Sequence, residues 1–234
     1  NVVGSIKDVT IDTKVVGDAK IDASLENRKF KIRTLKLPVD DGLIAAGGTV
    51  DLDGDADLQI AVRDVDIEPF LPLIGDNINA TGSVTGVINM TGATKNPKVE
   101  LSASLANGSY NGIDIDQGFV LATMENHVIN VQRIQGVKED YKLSAYGKIP
   151  LAALYTTGYL DANDSKAMDM TIDFNEADMA VIPLITPTVK DATGALKGVV
   201  HVTGTIDQPE AYGTVSVRNG TMKIKTVGNE LKDI

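Results

Sequence analysis

From Val9 onward, apolar and polar residues alternate with a period of two along nearly the whole chain, and that period places every second side chain on one face of an extended strand. Ala19, Ile21, Ala23 and Leu25 alternate with Lys20, Asp22, Ser24 and Glu26. Ala56, Leu58, Ile60 and Val62 alternate with Asp57, Gln59, Ala61 and Arg63, and Val99, Leu101, Ala103 and Leu105 alternate with Glu100, Ser102 and Ser104. The cleanest run sets Met168, Met170, Ile172 and Phe174 against Asp169, Thr171, Asp173 and Asn175. Each such strand has a dry face and a wet one. Turn chemistry separates the runs at Val16-Gly17-Asp18, Asp40-Asp41-Gly42, Asp53-Gly54-Asp55, Asn107-Gly108, Asn111-Gly112, Glu139-Asp140, Asn163-Asp164 and Asn219-Gly220; Gly, Asn and Asp supply the positive φ that tight reversals need. The expectation is an all-β chain of roughly 14 strands, each about 8 to 11 residues, in one long antiparallel meander.

The pattern occurs twice. Gly82, Gly86, Gly92, Pro97 and Asn107-Gly108 return at one offset, 112, as Gly194, Gly198, Gly204, Pro209 and Asn219-Gly220. Further back, residues 27–52 align with 126–151 at an offset of 99, so the second copy carries 112 minus 99, or 13, extra residues between Leu151 and Asp169. One elongated body over residues 1–234 is expected. Its first unit spans about 1–113, its second about 114–225, and the start of a third runs to 234.

Two stretches at equivalent places break the alternation. Ile67, Phe70, Leu71 and Ile74, and in the second copy Met179, Ile182 and Ile185, fall at helical spacing. Pro72 and Pro183 limit each to about two turns, a short helix covering part of the sheet. A meander with one dry face and no second sheet must close into a barrel, pair as a sandwich or curl until its apolar face lines a groove. A repeat that lengthens by addition suits the curl. Bends are expected at Gly47-Gly48, Gly86, Gly92, Gly198 and Gly204.

Composition narrows the chemistry. Hydrophobic residues make up 43% but aromatics only 4%, without Trp, so the dry face is built from Val, Ile, Leu, Met and Ala. A net charge of -10 argues against nucleic acid and against a grip on anionic headgroups. There is no cysteine, and no apolar run approaches the ~20 residues of a membrane helix. Asp51, Asp53, Asp55 and Asp57 around Gly54 miss the EF-hand spacing and read as a solvated hairpin turn. His127 and His201 do not recur between copies, facing Arg28 and Asn89 in the alignments, and no nucleophile elbow, phosphate loop or dinucleotide fingerprint occurs. An enzyme is therefore not expected, nor any cofactor or metal. The chain opens on Asn and ends in a strand-like run, which reads as a piece of a longer protein.

The cadence Gly-x-aliphatic-x-aliphatic-x-Gly, a short gap, Pro, alternating positions and Asn-Gly, at 86–108 and 198–220, resembles the TamB branch of the AsmA-like family. The resemblance implies a periplasmic, taco-shaped β-groove, anchored in an inner membrane by an N-terminal helix that this sequence lacks. It also implies an outer-membrane barrel partner, TamA- or BamA-like, and a role in moving phospholipids or assisting outer-membrane protein insertion. On that reading the inward residues Leu58, Ile60, Val62, Leu101, Leu105, Met168, Met170, Ile172, Val200 and Val202 line the groove and meet acyl chains by non-directional burial. The alternative is a chaperone-like assembly factor that offers its groove or strand edges to nascent β-proteins.

Overall fold

A computed structural model describes residues 1–11, 14–74, 79–139, 141–154, 165–182, 189–205, 208–224 and 230–232. Within them lie β1 (Val2–Ile11), β2 (Lys14–Glu26), β3 (Lys29–Val39), β4 (Gly42–Asp51), β5 (Asp55–Asp66), β6 (Ala80–Ala93) and β7 (Lys98–Tyr110). Then follow β8 (Ile113–Glu125), β9 (Val128–Lys138), β10 (Tyr141–Pro150), β11 (Met168–Asp178), β12 (Val189–Gly204), β13 (Pro209–Ile224) and β14 (Glu230–Lys232). All fourteen form one antiparallel sheet in strict chain order. The sheet does not close into a barrel; it is an open, curled groove with a hydrophobic concave face.

The register turns the period-two pattern into rungs, because residues paired across antiparallel strands share a face. One rung runs from β2 to β13 through Ile21, Leu35, Ala46, Ile60, Ile88, Leu101, Ala122, Val131, Gly147, Met170, Val202 and Ala211, each hydrogen-bond partner or opposite neighbour of the next. No charged side chain interrupts it. The opposite face carries rungs such as Gln59, Asn89, Glu100, Thr123, Asn130, Lys148 and Asp169. A slip of one residue anywhere would exchange the two faces, so the alternation in sequence also fixes the register.

Most strands run 10 to 16 residues, longer than the pattern implied, because three expected turns are bulges inside strands. Gly17 lies within β2, Asn107-Gly108 within β7 and Asn219-Gly220 within β13. Asn107 and Asn219 do adopt positive φ, 49° and 53°, but use it where the pairing of β6 with β7 and of β12 with β13 shifts by one residue. The chemistry that closes a hairpin here bends a continuing strand. Asn163-Asp164 lies outside the described residues.

Further shifts fall opposite or beside the expected glycines rather than on them. Arg33 in β3 and Gln132 in β9, 99 residues apart, are the extra residues of bulges facing Gly47 and lying beside Gly147. Asp64, with φ 50°, is the extra residue in β5. Glycine is nonetheless required beside them: Gly48 and Gly147 have φ of 139° and 145°, and a Cβ on either would overlap the carbonyl oxygen of Asp57 or Asp169. Backbone geometry thus recurs at the alignment offset of the two copies, as it does at Asn27-Arg28 and Asn126-His127, whose positive φ values close equivalent hairpins.

The first helical break is about two turns long, and the second is described only as far as Ile182. Glu68–Phe70 forms a 3-10 turn that leads into α1 (Leu71–Ile74), and Met179–Val181 forms the second 3-10 turn. Asp66 and Asp178 each accept the backbone N–H two residues on at 3.0 Å; Asp178 is the N-cap of its turn, whereas Asp66 stands one residue before the N-cap Ile67. Ile185 lies outside the described residues. An additional helical turn, α2 (Leu151–Leu154), opens the insertion of the second copy, with Ala152 buried.

Because β5 and β11 run in the same direction, both 3-10 turns fold over the same margin of the groove, and each seals a local core there. Val16, Val39 and Val65 are buried with Leu37, Ile44 and Phe70 packed on them. Phe174, Met179 and Leu196, each 1% exposed, form the second core with Ala177, Val189 and Ala192.

Candidate functional site: an apolar concave face

The ten lining residues named from the sequence all lie on the concave face, on four adjacent rungs. Ile60, Leu101, Met170 and Val202 belong to the continuous rung; Val62, Ile172 and Val200 belong to the next, with Gly86, Ala103 and Ala145 between them. Leu58 and Met168 lie one rung to the other side, opposite Met90 and Gly204. Leu105 sits nearest the capped margin, paired with Val84 and Gly118.

Burial separates them by role. Only Met170 is buried, at 8% exposure; the other nine are half-buried. Val62 packs against the Val39 core, and Ile172 and Val200 against the Phe174 core, so these three also support the margin. Leu58, Ile60, Leu101 and Val202 are in neither cluster. Full burial of such a side chain is worth about 1.5 to 3 kcal/mol, so a half-buried one leaves roughly 1 kcal/mol to be gained by whatever apolar surface covers it. Leu25, Phe30, Ile134 and Val215 on the same face are exposed outright. The concavity is therefore a partly covered surface with two sealed patches along one margin.

The convex face carries the polar chemistry. Asp22 on β2 and Arg33 on β3 form an ion pair, and its hydrogen bond holds the Asp22 carboxyl below its usual value and raises the Arg33 guanidinium. Lys98 is likewise raised by its hydrogen bond to Glu100 at 2.6 Å. His201 faces Thr171, with Nδ1 3.1 Å from the hydroxyl, and stacks on Tyr212 with ring centroids 5.3 Å apart. His127 is a hairpin-turn residue. Asp51, in the acidic hairpin, accepts the Asp53 N–H at 3.1 Å. Among the described residues no group of three or more His, Asp or Glu is placed to hold a metal ion, and no helix is long and apolar enough to cross a membrane.

One part of the concave side escaped sequence reasoning. Between the two sealed cores, a cavity of about 190 Å³ opens where Tyr110, Ile115, Gly136, Leu143, Ala177 and Val181 converge. The signal was present in the alignment of the copies, which sets Gly136 opposite Leu37 and Lys138 opposite Val39.

Fold and site together define an open β-groove protein, apolar on its inner face, with the charged residues on an outer face that also exposes Phe119, Leu121, Tyr146, Val199 and Tyr212. No protein-family model matches the chain, and no curated protein or solved structure matches it either.

Proposed function

We propose that this chain is a periplasmic segment of a TamB-like, AsmA-type bridge whose concave face shelters the acyl chains of phospholipids between an inner and an outer membrane. The observation that carries the reading is the uncharged rung from Ile21 to Ala211, spanning twelve strands with most of its side chains half-buried. A surface of that form binds without direction: each methylene laid along it contributes about 0.8 kcal/mol, and a chain can slide by exchanging equivalent contacts. No catalytic residue or cofactor enters the scheme. The parent protein would supply the membrane anchor and the docking on a TamA- or BamA-like barrel.

The test is mass spectrometry of what co-purifies. Phospholipid retained by the wild-type chain and lost from Leu101→Asp and Ile172→Arg supports sheltering; equal retention by both variants and the wild type refutes it. A second reading, assistance to outer-membrane protein insertion, draws on β1, which among the described residues has a partner on one side only and leaves Val2, Val3 and Ile6 exposed. An unpaired edge is a template for strand addition. Crosslinks from β1 or the groove to unfolded barrel strands, with no bound lipid, would favour that role.

A further inference from the structure

The two copies build the same scaffold at the capped margin but fill it differently. In the first, Leu37, Ile44 and Phe70 pack over Val16, Val39 and Val65, and Val39 is left 1% exposed. The residues 99 positions on from Ile11, Val16, Leu37, Val39 and Ile44 are Tyr110, Ile115, Gly136, Lys138 and Leu143, and the residue 112 on from Val65 is Ala177. All six line the cavity. The cavity therefore lies where the first copy is packed solid: Leu37 has become a glycine and Val65 an alanine, which vacate space, while Val39 has become a lysine, Val16 an isoleucine and Ile11 a tyrosine, which do not. The counterpart of Phe70 is Ile182, which packs on the Phe174 core instead.

We infer that this cavity is a seat for the end of one aliphatic chain, a fixed station along a groove that is otherwise uniform. The inference rests on the proposed sheltering of acyl chains. Its walls are almost wholly carbon; of the charged residues that border it, Lys138 Nζ lies 3.9 Å from Asp114 and Asp178 accepts the Ala180 N–H, and Lys142 stands beside them. The surface it presents is overwhelmingly apolar, so an apolar ligand end fits it better than a polar one. A volume of about 150 Å³ is enough to hold a benzene-sized guest; this cavity is larger and opens to one side, which leaves a way in for a chain end. Leu143 belongs to both the cavity wall and the rung through Phe174 and Gly198, so the seat adjoins the groove and suits a long chain apolar to its tip. The space beside Gly136 is real, because a Cβ there would meet no atom within 4 Å.

The probe is a long-chain fatty acid carrying a diazirine beside its terminal methyl group, photolysed on the whole chain and mapped by peptide mass spectrometry. Label is expected chiefly on residues 110–115 and 136–143, in excess over their counterparts 11–16 and 37–44. Gly136→Leu restores the first copy's residue and should reduce that label about tenfold, the factor expected when some two methylenes lose their contacts, while label elsewhere in the groove persists. Val181→Phe, which adds bulk from the helical turn instead of the strand, must give the same loss; unfolding midpoints establish that both variants fold. Label spread evenly over both copies, or undiminished at the seat in the folded variants, overturns the seat alone. Absence of label from every concave-face residue overturns both the seat and the sheltering groove.

Discussion

Replacing Leu101 by aspartate separates an open trough from a sealed interior. Leu101 lies mid-sheet on β7, between Ile88 and Ala122 on the continuous rung, and is half-buried. Removing it forgoes about half of a leucine's burial, roughly 1 kcal/mol. The new carboxylate remains hydrated from the open side, so little desolvation penalty is added. The same substitution at Leu196, 1% exposed in the Phe174 core, forfeits full burial and strands a charge; losses above about 4 kcal/mol are the mark of such a site. Urea unfolding followed by far-ultraviolet circular dichroism reads both, and an unchanged slope shows that the shift is one of stability. In a fatty-acid binding titration, a carboxylate facing two or three methylenes removes about 2 kcal/mol, a roughly thirtyfold weakening. If Leu101→Asp unfolds the sheet as severely as Leu196→Asp, the rung is interior and the reasoning fails.

Phe174→Ala should lose about 3 to 5 kcal/mol in the same unfolding assay, since its ring is 1% exposed and has no room to rearrange. Gly48→Ala and Gly147→Ala should each lose about 1 to 3 kcal/mol and by similar amounts, because both glycines hold positive φ against a neighbouring carbonyl; a neutral result at either denies that the copies share this bend. For Asp22, the Arg33 hydrogen bond lowers the folded-state pKa. Its contribution is fully present above the ordinary carboxylate value of about 3.9 and is lost as pH falls through the lowered one. Asp22→Asn should therefore flatten the acid limb of the stability curve below about pH 4, measured by unfolding midpoint against pH.

The faces of the strands were legible because burial and alternation are the same fact seen twice: Leu58, Ile60 and Val62 sit inward in space as they do in sequence. Turns were less so. Asn-Gly signals a positive φ but not what that φ accomplishes, and at Asn107 and Asn219 it produces a bulge in a strand that continues. Arg33 and Gln132 carry bulges without any turn chemistry, and at Asp64 the positive φ again serves a bulge in a strand that continues. The sealed cores at Phe174 and Val39 depend on where a 3-10 turn lays its side chains, which no strand periodicity reports. The cavity between them is visible only when the copies are compared residue by residue.

The most direct measurement uses the absence of native cysteine. Single cysteines at Gln59 and Ile60, adjacent in β5 but on opposite faces, are labelled with a polarity-sensitive fluorophore and titrated with phospholipid. The account predicts that both label readily and that only the label at position 60 shifts to the blue as lipid is added. An unreactive cysteine at 60, or equal responses from the two faces, would contradict it.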